Sequence, residues 1–232
     1  MAETVEFASN GTTASGYLAL PEGGTGPGLL VIQEWWGLSQ SLKDVCDRLA
    51  AAGFVALAPD LYHGELADPE HQEMDKAAEL MTALPPDRAG RDMSGAVDFL
   101  LGHDAVTGDG VGVVGFCMGG MLSFLIAANR GDAVKAVVPF YGFPSGDGEP
   151  DWSGLTAVVR GHMAENDDFF GPDAARALEA KLQGLGKDVT LTVHAGTGHA
   201  FMGPHNALGT RDEALAEQLW PEVTAFLHEQ LG

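Results

Sequence analysis

Short apolar runs and helical segments take turns along almost the whole of this chain, and that alternation limits the kind of sheet it can build. Residues 29–33, 54–58, 111–116, 134–140, 155–160 and 189–193 are short runs rich in Val, Leu, Ala and Phe. Between and after them, 41–52, 73–83, 87–101, 118–128, 172–182 and 211–231 read as helices. Gly53 closes the first of these, Pro172 opens the fifth, and Pro221 is expected to kink or split the last. A strand covered on both faces needs no polar side, so apolar runs separated by helices imply a mostly parallel sheet with helices on both faces. Residues 5–7 and 16–20 read as two further edge strands in a hairpin, which brings the sheet to about eight strands. Residues 23–28 read as a glycine-rich turn, and no repeat or linker interrupts the pattern, so residues 1–232 are expected to form one α/β domain.

Composition narrows the partners. Hydrophobic residues make up 45% and charged residues 19%, a globular balance. No apolar run approaches the ~20 residues of a membrane span, and the first ten residues carry acids and no basic region, unlike a signal peptide. The two cysteines, Cys46 and Cys117, are too few for a disulfide framework and are expected as reduced thiols in a cytoplasmic protein. Cys46 falls on the apolar face of a helix and reads as a small hydrophobe. The formal net charge of −21, with only 12 Lys and Arg, excludes nucleic acid and disfavours an anionic membrane surface as partner. Such a balance fits a soluble acidic enzyme or, as an alternative, adaptation to high salt.

In open α/β sheets ligands bind beyond the carboxyl ends of the strands. Four chemically capable residues stand there: Glu34, Cys117, Asp167 and His199. Gly115-Phe116-Cys117-Met118-Gly119 follows an apolar run and opens a helix, in the form G-x-S-x-G with Cys in place of Ser. A nucleophile on so sharp a turn needs glycine where strand and helix approach. The helix N-terminus offers unpaired N–H groups and a positive dipole end, expected to lower the thiol pKa and to stabilise an oxyanion.

His199, on the glycine-rich loop Gly196-Thr197-Gly198-His199, is placed to take the thiol proton; His162 and His194 are rivals within or beside strands. Asp167 can hold the imidazole in the right tautomer, with Glu165 and Asp168 as alternatives. The chain order nucleophile, acid, histidine is that of α/β-hydrolases. Glu34 ends a buried run, so it must be paired or protonated. It can accept a hydrogen bond from Cys117 or share its proton, or merely favour the helix that follows. In this fold the N–H groups of Trp35 and Met118 are the expected oxyanion donors. Ser123 and Ser153 sit in no nucleophile turn.

Gln33-Glu34-Trp35-Trp36-Gly37, Ala58-Pro59-Asp60-Leu61-Tyr62, Gly115 to Gly120, Phe140-Tyr141-Gly142, His162 to Phe169 and Gly198-His199-Ala200-Phe201 together resemble the dienelactone hydrolase family of α/β-hydrolases, over nearly the whole chain. The resemblance implies an α/β-hydrolase fold with a Cys117-His199-Asp167 triad. It also implies that Glu34 holds the resting thiol and helps to activate it. The implied reaction is ring opening of an enol-lactone such as 4-carboxymethylenebut-2-en-4-olide to maleylacetate, through an acyl-enzyme, by a monomer without metal or organic cofactor. One departure bears on the substrate. The family anchors its carboxylate with arginines, yet 61–83 holds only Lys76, and no Arg follows closely on His199. His205, Lys76 and Arg211 are the cations left to rebuild that anchor. Trp35, Trp36, Tyr141 and Phe201 suggest an aromatic pocket for a less polar ester. The alternatives are a carboxylesterase or thioesterase for neutral esters and a non-catalytic thiol sensor.

Overall fold

The computed structural model describes residues 2–203 and 205–232. In chain order its strands are β1 (Ala2–Ser9), β2 (Thr12–Ala19), β3 (Gly26–Ile32), β4 (Val55–Pro59), β5 (Val106–Phe116), β6 (Val134–Phe140), β7 (Val158–Asn166) and β8 (Val189–Gly198). Its α-helices are α1 (Gln40–Ala51), α2 (Met74–Ala83), α3 (Pro86–Gly102), α4 (Met118–Asn129), α5 (Pro172–Gly184) and α6 (Glu213–Leu231). The strands form one sheet in the order β1-β2-β4-β3-β5-β6-β7-β8. β1 and β2 form the expected hairpin and β2 meets β4 antiparallel; every later pairing is parallel.

Alternation along the central strands divides the core. Leu30 and Ile32 of β3 pack with α3, α4 and α5 on one face. Leu29 and Val31 pack with α1 and α6 on the other. All four are fully buried, and burial of each such side chain contributes about 2 kcal/mol. Helix α1 shows how the local rules act together. Ser39 Oγ accepts from Leu42 N at 3.4 Å, and the stripe Leu42, Val45, Cys46 and Leu49 turns inward. Cys46 is fully enclosed, and burial pushes its thiol up, as befits a packing residue.

Several boundaries differ from the sequence reading. Gly26 to Gly28 belong to β3 rather than to the preceding turn, paired with β5. β7 begins at Val158, not at 155, and runs on through His162 to Asn166. β8 continues past 193 to Gly198. Helix α6 starts at Glu213 and passes through Pro221 unsplit. A proline removes one backbone donor, but buried Leu219, Trp220 and Val223 hold both halves against the sheet. Among the described residues no helix is long and apolar enough to cross a membrane.

Candidate active site

Cys117 occupies the turn between β5 and α4 with φ 55° and ψ −117°, a conformation rare for a side chain larger than glycine. Its neighbours make the turn possible. A Cβ on Gly115 would lie 2.1 Å from Gly119 O, and one on Gly119 would lie 2.3 Å from Ile32 O. β5, α4 and β3 can approach this closely only because both positions are glycine. The backbone is tied down as Cys117 N donates to Phe140 O at 3.0 Å. Ser123 is spent on the same helix, donating to Gly119 O at 2.7 Å, and Ser153 lies on an exposed 3-10 turn.

Strand register brings the acid and the base together. Asn166 of β7 pairs with Gly198 of β8, so the next residues, Asp167 and His199, leave the sheet side by side. His199 Nδ1 donates to Asp167 Oδ2 at 2.8 Å, which leaves Nε2 as the free acceptor. Asp167 Oδ1 accepts from Phe169 N at 2.8 Å and Phe170 N at 2.9 Å. Burial works to raise this carboxyl, but the His199 bond and charge and the two N–H groups outweigh it and hold it below its usual range. Phe170 stacks on the His199 ring at 5.8 Å, and Thr210 Oγ1 donates to His199 O. The rival acids are placed otherwise. Glu165 is exposed and accepts from Gly196 N, and Asp168 is exposed at the cavity edge. The rival histidines pair with each other, His162 Nδ1 to His194 Nε2 at 3.1 Å, away from Cys117 and beside a separate cavity.

Cys117, His199, Glu34, Trp35, Trp36 and Met118 all line one cavity of about 850 Å³. Met118 N–H, at the first turn of α4, draws the Cys117 thiol pKa down, and Trp35 N–H has no partner among the described residues. The expected depression of the thiol pKa does not occur. Burial pushes the Cys117 thiol up and the Glu34 carboxylate adds to it, against the smaller pull of Met118 N–H. At rest Cys117 is a neutral thiol.

Glu34 is where the structure departs most from expectation. It does not bond Cys117. Its Oε2 meets His205 Nε2 at 2.7 Å, and Tyr141 OH donates to Oε1 at 3.4 Å. His205 Nδ1 accepts from Ala207 N at 3.3 Å, so the proton of a neutral ring sits on Nε2 and is donated to Glu34. Both partners of this pair are buried. Of the three cations left to rebuild a carboxylate anchor, His205 alone lines the cavity. Lys76 faces Glu73 at 3.9 Å, and Arg211 is held by Glu213 and Gly203 O. Tyr141 and Phe201 are not among the residues that line this cavity. Both are fully buried behind the cavity wall, Tyr141 packed edge-on against His199 at 5.2 Å and against Phe201 at 5.5 Å. Burial, reinforced by Glu34, keeps the Tyr141 hydroxyl protonated and therefore a donor. Among the described residues no group of three or more His, Cys, Asp or Glu is arranged to hold a metal ion.

Glu34→Gln tests the part this carboxylate plays. Loss of its charge is expected to cut kcat/KM about 10- to 100-fold, within the range of general acid–base effects. The same change should speed alkylation of Cys117 by iodoacetamide at pH 8, because one of the three influences that raise the thiol pKa, beside burial and the Asp167 charge, is gone. Unchanged kinetics would remove Glu34 from the mechanism.

A mostly parallel eight-stranded sheet, a sharp strand-to-helix turn at Cys117 after β5 and a histidine–acid pair at later strand ends define an α/β-hydrolase. The family model of the dienelactone hydrolase family matches residues 14–231, and the chain belongs to that family. It is accordingly a hydrolase of esters or lactones. Protein usf of Aquifex pyrophilus is 38% identical over 237 residues, covering 100% of both chains. An Aquifex aeolicus protein provisionally named carboxymethylenebutenolidase is 36% identical, covering 87% of each chain. A solved Klebsiella pneumoniae structure, provisionally described as a dienelactone hydrolase, superposes with a TM-score of 0.82 at 25% identity, covering 98% of this chain and 99% of that one.

Proposed function

We propose that the protein cleaves a lactone or ester with Cys117 as nucleophile, through a thioester acyl-enzyme, and that its substrate is neutral rather than carboxylated. The observation that carries the reading is the strained Cys117 turn opening into the same cavity as the bonded His199–Asp167 pair. His199 Nε2 takes the thiol proton as the sulfur attacks the carbonyl carbon. The carbonyl oxygen becomes an oxyanion held by Trp35 N–H and Met118 N–H. Collapse breaks the carbon–oxygen bond, and His199 returns the proton to the leaving oxygen, which in a lactone stays on the same molecule. His199 then takes a proton from water, whose oxygen attacks the thioester. The carbon–sulfur bond breaks, and the sulfur regains its proton from His199.

The neutral substrate follows from charge. No Lys or Arg is among the described residues lining the cavity, while Glu34, Asp147 and Asp168 are. A substrate carboxylate would enter against three acids with only His205 to meet it. The test is rapid mixing with p-nitrophenyl acetate, acid quench and peptide mass analysis. An acetyl group on the peptide carrying Cys117, formed with a burst of p-nitrophenol, is expected. Steady turnover with that peptide unmodified would mean another nucleophile.

A further inference from the structure

The cavity is far larger than the chemistry of a small lactone needs. Its 850 Å³ corresponds to about thirty water molecules at liquid density. Its walls beyond the reacting groups are mostly apolar, with Asp147, Asp168 and His205 as the ionisable exceptions. Helix α4, which carries Cys117 at its N-cap, contributes Met118, Met121, Leu122 and Leu125 to the lining, the spacing of one helix face. Met81, Leu84, Pro86 and Ala89, from α2, the link after it and α3, line the cavity as well. Met81, 41% exposed, and Phe169, 65% exposed, are two of the five exposed large hydrophobic side chains among the described residues, and both belong to this lining. Apolar groups left in water around an apolar cavity mark a binding surface rather than incidental exposure.

We infer that this lining along α4 is an acyl-binding arm, and that the preferred substrate is an ester or lactone with a medium-length hydrocarbon chain on its acyl side. The inference rests on Cys117 as the attacking group. With the oxyanion held at Met118 N–H, the leaving oxygen has to lie by His199, whose ring is flanked by Phe169 and Phe170. The acyl substituent takes the other direction, along α4. From Met118 to Leu125 the helix rises about 10 Å. That length accommodates an extended chain of about eight carbons at roughly 1.3 Å each. Each methylene buried there is expected to improve binding about three- to fourfold, until the arm is full.

The experiment holds the leaving group constant. kcat/KM is measured for p-nitrophenyl acetate, butanoate, octanoate and dodecanoate. The expected result is a maximum near octanoate, at least tenfold above acetate. Leu125→Trp, which fills the far end of the arm, should lower the octanoate-to-acetate ratio at least tenfold; taking the ratio cancels any general loss of activity. Binding is read independently of turnover from Trp fluorescence of the Cys117→Ala protein, since Trp35 and Trp36 line the same cavity. Methyl octanoate should bind at least tenfold more tightly than methyl butanoate. Equal binding of the two, or none, overturns the arm even if acetate is hydrolysed through Cys117. Chain-length-dependent binding without an acylated Cys117 would retain the arm and overturn the nucleophile.

Discussion

Cys117→Ala is expected to lower kcat/KM for a p-nitrophenyl ester by at least about ten-thousandfold, the scale seen when a nucleophile of a triad is removed. Its melting temperature should stay close to that of the parent. The two expectations separate because of where the side chain sits. The sulfur is partly buried at the cavity wall, and among the described residues its side chain makes no hydrogen bond that the fold depends on. The turn itself is held by backbone contacts, Cys117 N to Phe140 O and Met121 N to Cys117 O, which alanine keeps. Alanine does inherit the left-handed φ of 55°, so any cost of that strain is already present in the parent. Cys117→Ser is the sharper companion. Serine restores an oxygen nucleophile but not a polarisable sulfur, and His199 must then deprotonate a far weaker acid, so only partial recovery is expected. Residual activity in Cys117→Ala within tenfold of the parent would transfer the chemistry to another group.

The thiol's ionisation explains why the resting protein should resist modification. A reactive cysteine is ordinarily one whose thiolate is stabilised. Here burial and Glu34 favour the neutral form, and the helix end is outweighed. Glu34 is in turn held by His205 and Tyr141. In the proposed mechanism, thiolate formation is thereby left to the moment when a substrate carbonyl fills the cavity and His199 Nε2 can accept the proton. A thiol kept protonated is also poorly suited to sensing oxidants, which weighs against the sensor alternative on physical grounds.

Much of this was legible in the chain itself, for identifiable reasons. Apolar runs such as 29–33 and 111–116 mark strands buried on both faces, and they lie where β3 and β5 do. The ends of β7 and β8 were not legible. Their last residues, Ala164-Glu165-Asn166 and His194 to Gly198, lack the apolar run of a buried strand, and pairing with each other is what makes them strand. Those unseen residues are what set Asp167 beside His199. Cys117 could be read because its requirement is local: two glycines, a strand before and a helix after. The Glu34–His205 bond could not, since 171 residues separate the partners and neither carries a local signature. The same holds for buried Asp92 of α3, which accepts from Ser9 at 2.5 Å and meets His63 at 2.8 Å. The places of Tyr141 and Phe201 are illegible in the sequence for the opposite reason. Aromatics beside glycine turns can face a cavity or back its wall, and only the packing around Phe116 and Trp220 decides for the wall.

Asp167→Asn is expected to lower kcat about 10³- to 10⁴-fold while leaving KM for a neutral ester nearly unchanged. The fall is electronic and orientational rather than steric. Asparagine Oδ1 can still accept from Phe169 N and Phe170 N, so the loop should keep its shape. What changes is the group facing His199 Nδ1. A carboxylate only accepts and so keeps the Nδ1–H tautomer; an amide nitrogen placed there donates and favours the tautomer with its proton on Nε2, toward Cys117. A ring protonated on Nε2 cannot take the thiol proton. Loss of the negative charge also removes the stabilisation of the imidazolium that forms when His199 does take it. The acid is specified by comparison with its neighbour. Glu165→Gln, an exposed side chain bonded only to Gly196 N, should leave kcat within about twofold, as surface changes away from a site generally do. Equal losses in the two variants would mean that the loop's shape, and not the acid at 167, is what the reaction needs. A loss confined to Asp167→Asn would tie the carboxylate to the proton that His199 carries.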